Sequence, residues 1–263
     1  MKKTDAFLLA ALQDKIDQCL AEDDMTTSVF LDMHQRTIAE QLCRGQSVVQ
    51  FCFWGGYATA ERTLACFFPK YWGLKTAEDA VAWLENNEEE SPIILLQAIY
   101  QGENSFGHRD YLGALMNLGI ERNVLGDILV HSDGAQVLVL RKILPYLLQN
   151  WQKVGRANII LQQKNLGQLV LPLNHMQEKW DTVASCRLDN VLSAAFDTSR
   201  KSAAEAIQSG LIFVNGLERW KADSLVQVGD RLVWRGKGKV ILQQIGEKTR
   251  KGRFPIVMQK YGS

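Results

Sequence analysis

Asn215-Gly216 and Gly229-Asp230 constrain this chain more than any other feature. Both are turn signals, because Asn, Asp and Gly tolerate the backbone conformations that tight turns demand. The segments around them are short. Leu211 to Val214 and Arg231 to Trp234 read as strands, with Asn215-Gly216 as a hairpin turn. Upstream, Arg187 to Phe196 has helix spacing, with Leu188, Val191, Leu192 and Ala195 on one face. Asp197-Thr198-Ser199 is a turn, and Thr198 or Ser199 caps a second helix. That helix packs Ala203, Ala204, Ala206 and Ile207 and stops at Gly210. Residues 183–263 are therefore expected to form a small module of two helices followed by strands.

Charge singles out the same module. From Val183 onward 14 Lys/Arg stand against 7 Asp/Glu, although the whole chain nearly balances at 30 and 29. A basic segment on an acidic body suits a polyanionic partner. Arg200 and Lys201 fall in a first helical turn, where cations oppose the helix dipole. A bound phosphate would reverse that balance by taking charge from Arg200 and from free backbone N–H groups together. Arg235-Gly236-Lys237-Gly238-Lys239 adds three cations on a glycine-flexible segment, and Lys248-Thr249-Arg250-Lys251-Gly252-Arg253 reads as a basic tail. The expected RNA contacts are Arg187, Ser199, Arg200, Lys201, Asn215, Arg235, Lys237, Lys239, Lys248, Arg250, Lys251 and Arg253.

The 263 residues leave room for further domains. Residues 1–75 read as N-terminal helices and a hairpin. Phe7, Leu8, Leu12, Ile16, Cys19 and Leu20 recur at helix spacing, and Thr26, Thr27 or Ser28 caps a second helix that Gly45 ends. Val48 to Phe53 and Thr63 to Phe68 flank the Gly55-Gly56-Tyr57 turn. Within 76–165, from Ile93 on, the order is strand, helix, strand, strand, helix, strand, with Ser132-Asp133-Gly134 as a hairpin turn. That is the split βαβ order of ferredoxin-like domains, an architecture shared with RNA-recognition domains. Asp110 is expected to cap the first of those helices, and His108 and Arg109 beside it are a second candidate RNA contact. Residues 166–182, interrupted by Gly167 and Pro172, read as a linker. The fold class is α+β.

Residues Arg187 to Ile241 resemble the RNA-binding module named after ribosomal protein S-four, also called the alpha-L motif. Arg187-Leu188-Asp189, Ser199-Arg200, Val214-Asn215-Gly216 and Gly229-Asp230 carry the match. Several ordered elements make it far more specific than a lone short motif. Phe53-Trp54-Gly55-Gly56-Tyr57, Glu61-Arg62, Phe68-Pro69-Lys70-Tyr71, His108-Arg109-Asp110, Leu112-Gly113-Ala114-Leu115-Met116 and Gly126-Asp127-Ile128-Leu129-Val130 resemble the YlmH family over nearly the whole chain. The resemblance implies a bacterial cytoplasmic RNA-binding protein with rRNA or tRNA as partner. It implies association with the large ribosomal subunit and with stalled nascent chains. Members are often encoded near cell-division genes, which makes a cell-division interaction protein one alternative.

An RNA-modifying enzyme is the other alternative, and the sequence offers it little. His108-Arg109-Asp110 matches the tripeptide of a kinase catalytic loop, but Asn117 is misplaced for the metal-binding Asn and no glycine-rich loop is present. Arg187-Leu188-Asp189 is similar to a pseudouridine synthase segment, yet it opens the terminal module, where Asp189 reads as an ion-pair partner of Arg187 or Arg200. The five cysteines are scattered, with no CxxC spacing, so neither a disulfide framework nor a metal site is expected. No cofactor is expected. The apolar run Ala6 to Leu12 is too short for a signal peptide, and no apolar stretch of about 18 residues suggests membrane insertion.

Overall fold

The strand Ile93–Ile99 is apolar at nearly every position, and the computed structural model of the chain shows why. Ile94, Leu96 and Ala98 pack into one core and Ile93 and Leu95 into another, so both faces of the strand are covered. The structure describes residues 3–100, 102, 105–172 and 176–261. They divide into two units, Met1–Pro172 and Leu173–Ser263.

In the first unit, α1 (Lys3–Glu22) leads through β1 (Thr26–Thr27) to α2 (Met33–Arg44), and β2 (Val49–Trp54), β3 (Leu64–Pro69) and α3 (Ala77–Asn86) follow. The strands form a sheet of order β1-β3-β2. Leu12, Ile16 and Cys19 of α1 and Ala39 and Cys43 of α2 pack with Val49, Ala65 and Phe67 of that sheet. The cap of α2 is Asp32, whose side chain accepts from the backbone N of Gln35 at 2.8 Å. Thr26 and Thr27, expected near that helix start, are instead a strand pairing with Phe67 and Cys66. β-Branched threonines suit either role, and the partner strand decides it.

The remainder of this unit is β4 (Ile93–Ile99), α4 (His108–Asn117), β5 (Leu125–His131), β6 (Gly134–Leu140), α5 (Leu144–Asn150), the short hairpin β7 (Lys153–Val154) and β8 (Ala157–Asn158), and β9 (Ile160–Lys164). The sheet order β5-β6-β4-β9 with antiparallel pairing is the ferredoxin-like arrangement read from the element order. Tyr111 and Leu115 of α4 and Leu147 of α5 cover one face. The opposite face shares a core with Cys52 and Cys66 of the N-terminal sheet and Leu84 of α3. Asp110 does not cap α4. Gly107 does, and Asp110 in the first turn accepts its N–H at 2.8 Å.

The second unit holds β10 (Met176–Val183), α6 (Leu188–Ala195), α7 (Arg200–Gln208), β11 (Ile212–Val214), β12 (Leu217–Glu218), β13 (Arg231–Trp234), β14 (Gly238–Ile245) and β15 (Phe254–Tyr261). Its six-stranded sheet runs β10-β15-β14-β13-β11-β12. Leu188, Val191 and Leu192 are completely buried against Leu232, Leu242 and Met258. Each such aliphatic side chain contributes about 1.5–3 kcal/mol. The stretch 166–182, expected as a linker, carries a 3-10 turn at Leu166–Gln168 and most of β10, while residues 173–175 lie outside those described. Glu178-Lys179-Trp180-Asp181 lacks apolar alternation, so only its pairing with β15, Val183 to Phe254 through Met176 to Tyr261, makes it a strand.

Candidate nucleic-acid interface

Arg187 and Ser199 stand at the N-cap positions of the helices α6 and α7. The Ser199 hydroxyl oxygen accepts from the backbone N of Ser202 at 3.0 Å, so that acceptor is committed to the cap. Asp189, in the first turn of α6, lies between the helix starts. Its Oδ1 is 3.1 Å from Arg187 Nε, and its Oδ2 is 3.0 Å from Arg200 Nη2. Desolvation pushes the Asp189 pKa up, but the hydrogen bonds and charges of Arg187 and Arg200 outweigh it and hold the carboxyl below its ordinary value. The Asp189 side chain is 7% exposed while those of Arg187 and Arg200 are 39% and 58% exposed, so the carboxylate is inside and the cations face outward. Lys201 is exposed in the first turn of α7.

The two turns that dominate the sequence are joined in space. Asn215 adopts a positive φ of 52°. Its Nδ2 donates to Asp230 Oδ1 at 2.7 Å, and its Oδ1 accepts from the backbone N of Arg231 at 2.9 Å. The Asn215 amide thus ties the two turns together, a structural task alongside any RNA contact.

The segment expected to be a flexible cationic run is a hairpin turn between β13 and β14, closed by the Lys237 N–H donating to the Trp234 carbonyl at 2.9 Å. The guanidinium of Arg235 lies 4.7 Å from the Phe213 ring centre, and the Lys237 ammonium 4.1 Å from that of Trp234. Both cations are therefore oriented by aromatic faces. Lys239 lies on β14, paired with Val233. The expected basic tail is likewise a turn, joining β14 to β15, with the Thr249 N–H donating to the Arg253 carbonyl at 2.8 Å. Arg253 bonds the Thr182 hydroxyl and carbonyl, which secures β10. Lys248 stands 5.8 Å from the Phe254 ring centre, and Arg250 and Lys251 are exposed. These strands pair across long sequence separations, which local pattern does not reveal.

In the first unit, His108 and Arg109 are exposed at the start of α4. Desolvation, then the charge of Arg122, holds the His108 pKa below the usual imidazole value. Asp127 is buried, and its Oδ2 accepts from Tyr57 Oη at 2.8 Å and from the Glu61 N–H at 2.6 Å, while Oδ1 accepts from the Arg62 N–H at 3.1 Å. Arg62 and Arg122 sit beside this carboxylate; in the sequence Arg62 stands out only within the Glu61-Arg62 resemblance and Arg122 not at all, because isolated arginines in mixed sequence carry no periodic signal. Trp54 is buried, and Trp72 packs against Phe68 and Trp83, so these rings are occupied in the core. Among the described residues, no three His, Cys, Asp or Glu side chains are grouped to hold a metal ion, and no helix is long and apolar enough to cross a membrane.

Residues 88–168 match the family described as "Putative RNA-binding domain in YlmH", and residues 186–232 match the S4 domain. The first match spans β4 through the Leu166–Gln168 turn, and the second spans α6, α7 and the turn pair. A protein of Bacillus subtilis (strain 168), "Ribosome-associated protein quality control protein P2", is 29% identical over 241 residues, covering 90% of this chain and 87% of that protein. The solved "Cell division protein ylmH from Streptococcus pneumoniae" superposes with a TM-score of 0.50 at 20% identity, over 65% of this chain and 96% of its own. At that identity the likeness is one of fold.

Proposed function

Because the chain belongs to the YlmH family and carries a C-terminal S4 domain, we propose that it is a non-enzymatic factor that binds rRNA, tRNA or both on the large ribosomal subunit and acts on stalled translation complexes. The observation that carries this reading is the pair of outward-facing guanidiniums, Arg187 and Arg200, held by the inward Asp189 at the helix starts. A fixed pair of cations with free donors suits a phosphodiester, and RNA shape then supplies selectivity. Lys201, Arg235, Lys237, Lys239, Lys248, Arg250 and Lys251 extend the cationic surface of the same unit in this proposal. Ser199, Asn215 and Arg253 serve it chiefly by holding the backbone in place. His108 and Arg109 supply a contact from the first unit. The proposed compartment is the cytoplasm.

The relative named for ribosome-associated quality control supports the ribosomal partner, since it aligns over most of both chains. Sedimentation of cell extracts through sucrose tests it. The protein is expected with large subunits at low salt and is released as salt rises, because neutralised phosphates set free their counterions. Absence from every ribosomal fraction at low salt would sink the proposal.

A further inference from the structure

The four-stranded sheet of the first unit has no open face. RNA-recognition domains built on such a sheet stack bases on aromatic side chains of the uncovered face. Here one face lies under α4 and α5, and the other presents Ile93, Leu95 and Leu138, each fully buried in one core with Phe30, Cys66 and Leu84. RNA that meets this unit therefore cannot stack on either face of this sheet.

One loop cluster is chemically suited to it. Arg62 Nε and Arg122 Nη1 both donate to the Leu125 carbonyl, each at 2.9 Å. Arg62 Nη2 also reaches the Phe30 and Arg122 carbonyls, and Arg122 Nη1 the Gly126 carbonyl. Two guanidiniums thus share one acceptor and sit within about two hydrogen-bond lengths of each other. Carbonyl oxygens orient a cation without neutralising it, and among the described residues neither arginine forms an ion pair. The nearby Asp127 accepts instead from Tyr57 and from two backbone N–H groups.

Burial, then the repulsion of Arg62, pulls the Arg122 pKa down to about 10; the attraction of Asp127 is the smaller charge effect. At His108 the repulsion of Arg122 likewise outranks the attraction of Asp127 and Glu61. The repulsion is felt at Arg122 and His108, whereas Arg62 is attracted by the carboxylates of Asp32 and Asp127, so the charge left for an anion lies on the Arg122 side of the pair. Both arginines remain partly exposed, and Arg62 Nη1 and Arg122 Nε and Nη2 make no hydrogen bond among the described residues.

We propose that Arg62 and Arg122, with His108 beside them, form a second phosphate-binding site that takes a backbone phosphodiester of RNA separately from the S4 domain. The proposal rests on the RNA-binding reading above. Arg122 supplies the outward donors and Arg62 the second positive charge, and a phosphate oxygen satisfies both where no protein carboxylate does.

The test measures binding of the full chain to a labelled structured RNA as a function of salt, for Arg122→Gln, Glu61→Gln and Lys201→Glu. Arg122→Gln is expected to weaken binding about three- to tenfold and to lower the salt slope by about one contact. Glu61→Gln, which removes an exposed acid beside the cluster and leaves its backbone bond to Asp127 intact, is expected to strengthen binding about twofold. That second variant carries the test if circular dichroism shows Arg122→Gln to be unfolded.

Unchanged affinity in both, with Lys201→Glu weakened, overturns the second site and leaves the S4 reading standing. If Lys201→Glu is also without effect, both readings fall. Inorganic phosphate and a nucleoside monophosphate are then added as competitors. Displacement no greater than by chloride at equal ionic strength supports the polymer, and specific displacement at sub-millimolar phosphate overturns the RNA assignment.

Discussion

The carboxylate of Asp189 meets the guanidinium of Arg200 at 3.0 Å across the turn that joins α6 to α7. Because the same carboxylate also holds Arg187, one inward anion sets the direction of two outward cations. Burial penalises the Asp189 charge, and the hydrogen bonds and charges of the two arginines outweigh that penalty while the arginines themselves face water.

Asp189→Asn is expected to loosen this joint. Three charge-assisted hydrogen bonds, two from Arg187 and one from Arg200, weaken, and the exposure of both arginines limits the loss to about 1–2 kcal/mol. Hydrogen exchange of the α6 and α7 amides in the full chain should accelerate about five- to thirtyfold. Acid should act in the same way. The folded pKa lies below the unfolded one, so the contribution is complete above the ordinary carboxylate value of about 3.9 and is lost as pH falls towards the folded pKa. Exchange rates that match the wild type at pH 7 would contradict the structural role.

Lys201→Glu separates RNA binding from stability. An acid in the first turn of α7 improves the helix dipole by about 0.3–1 kcal/mol, while it places a negative charge where a phosphate is proposed. Thermal stability should stay level or rise, and RNA affinity should fall with a shallower salt dependence. A stable variant with wild-type affinity would remove Lys201 from the interface.

Gly134→Ala should disrupt the central sheet. Gly134 has φ of 152°, and a Cβ there would lie 2.0 Å from the Ala98 carbonyl oxygen on the neighbouring strand. Backbone cannot yield as a side-chain end can, so the loss is expected to exceed about 2 kcal/mol. Chemical denaturation with circular dichroism reads it directly, and a midpoint like that of the wild type would show that β4 and β6 do not approach this closely.

Arg122→Gln should raise the pKa of His108. Desolvation, the larger cause of its depression, remains, but the repelling charge is gone. In the wild type the ring is neutral at pH 7 and gains its proton only below the usual imidazole value of about 6.5. A depressed folded pKa also means that stability from this group is present above that value and is lost as pH falls through the folded pKa. NMR titration of the His108 ring measures both values, and no upward shift in the variant would show that Arg122 does not act on the ring.

Much of this architecture was legible locally. The six-element order from Ile93 predicted the ferredoxin-like sheet, because each element carries its own periodicity and the hairpin its own turn chemistry. The S4 domain was equally legible, since its caps and turns lie within short sequence windows. Strand β10 and the partners of β14 and β15 were not, because polar alternation says nothing about which distant strand supplies the hydrogen bonds.

The candidate site divides along the same line. Sequence alone determined that residues near Asn215-Gly216 and Gly229-Asp230 would turn, and that Arg200 and Lys201 would begin a helix. Only the tertiary structure joined the two turns through Asn215 and Asp230, set Arg187 and Arg200 on one carboxylate, and brought Arg62 to Arg122 at a shared carbonyl. Turns and caps are decided by the backbone preferences of a few consecutive residues. Which charges meet depends on how the elements pack, and packing is settled by the buried apolar faces of the whole unit.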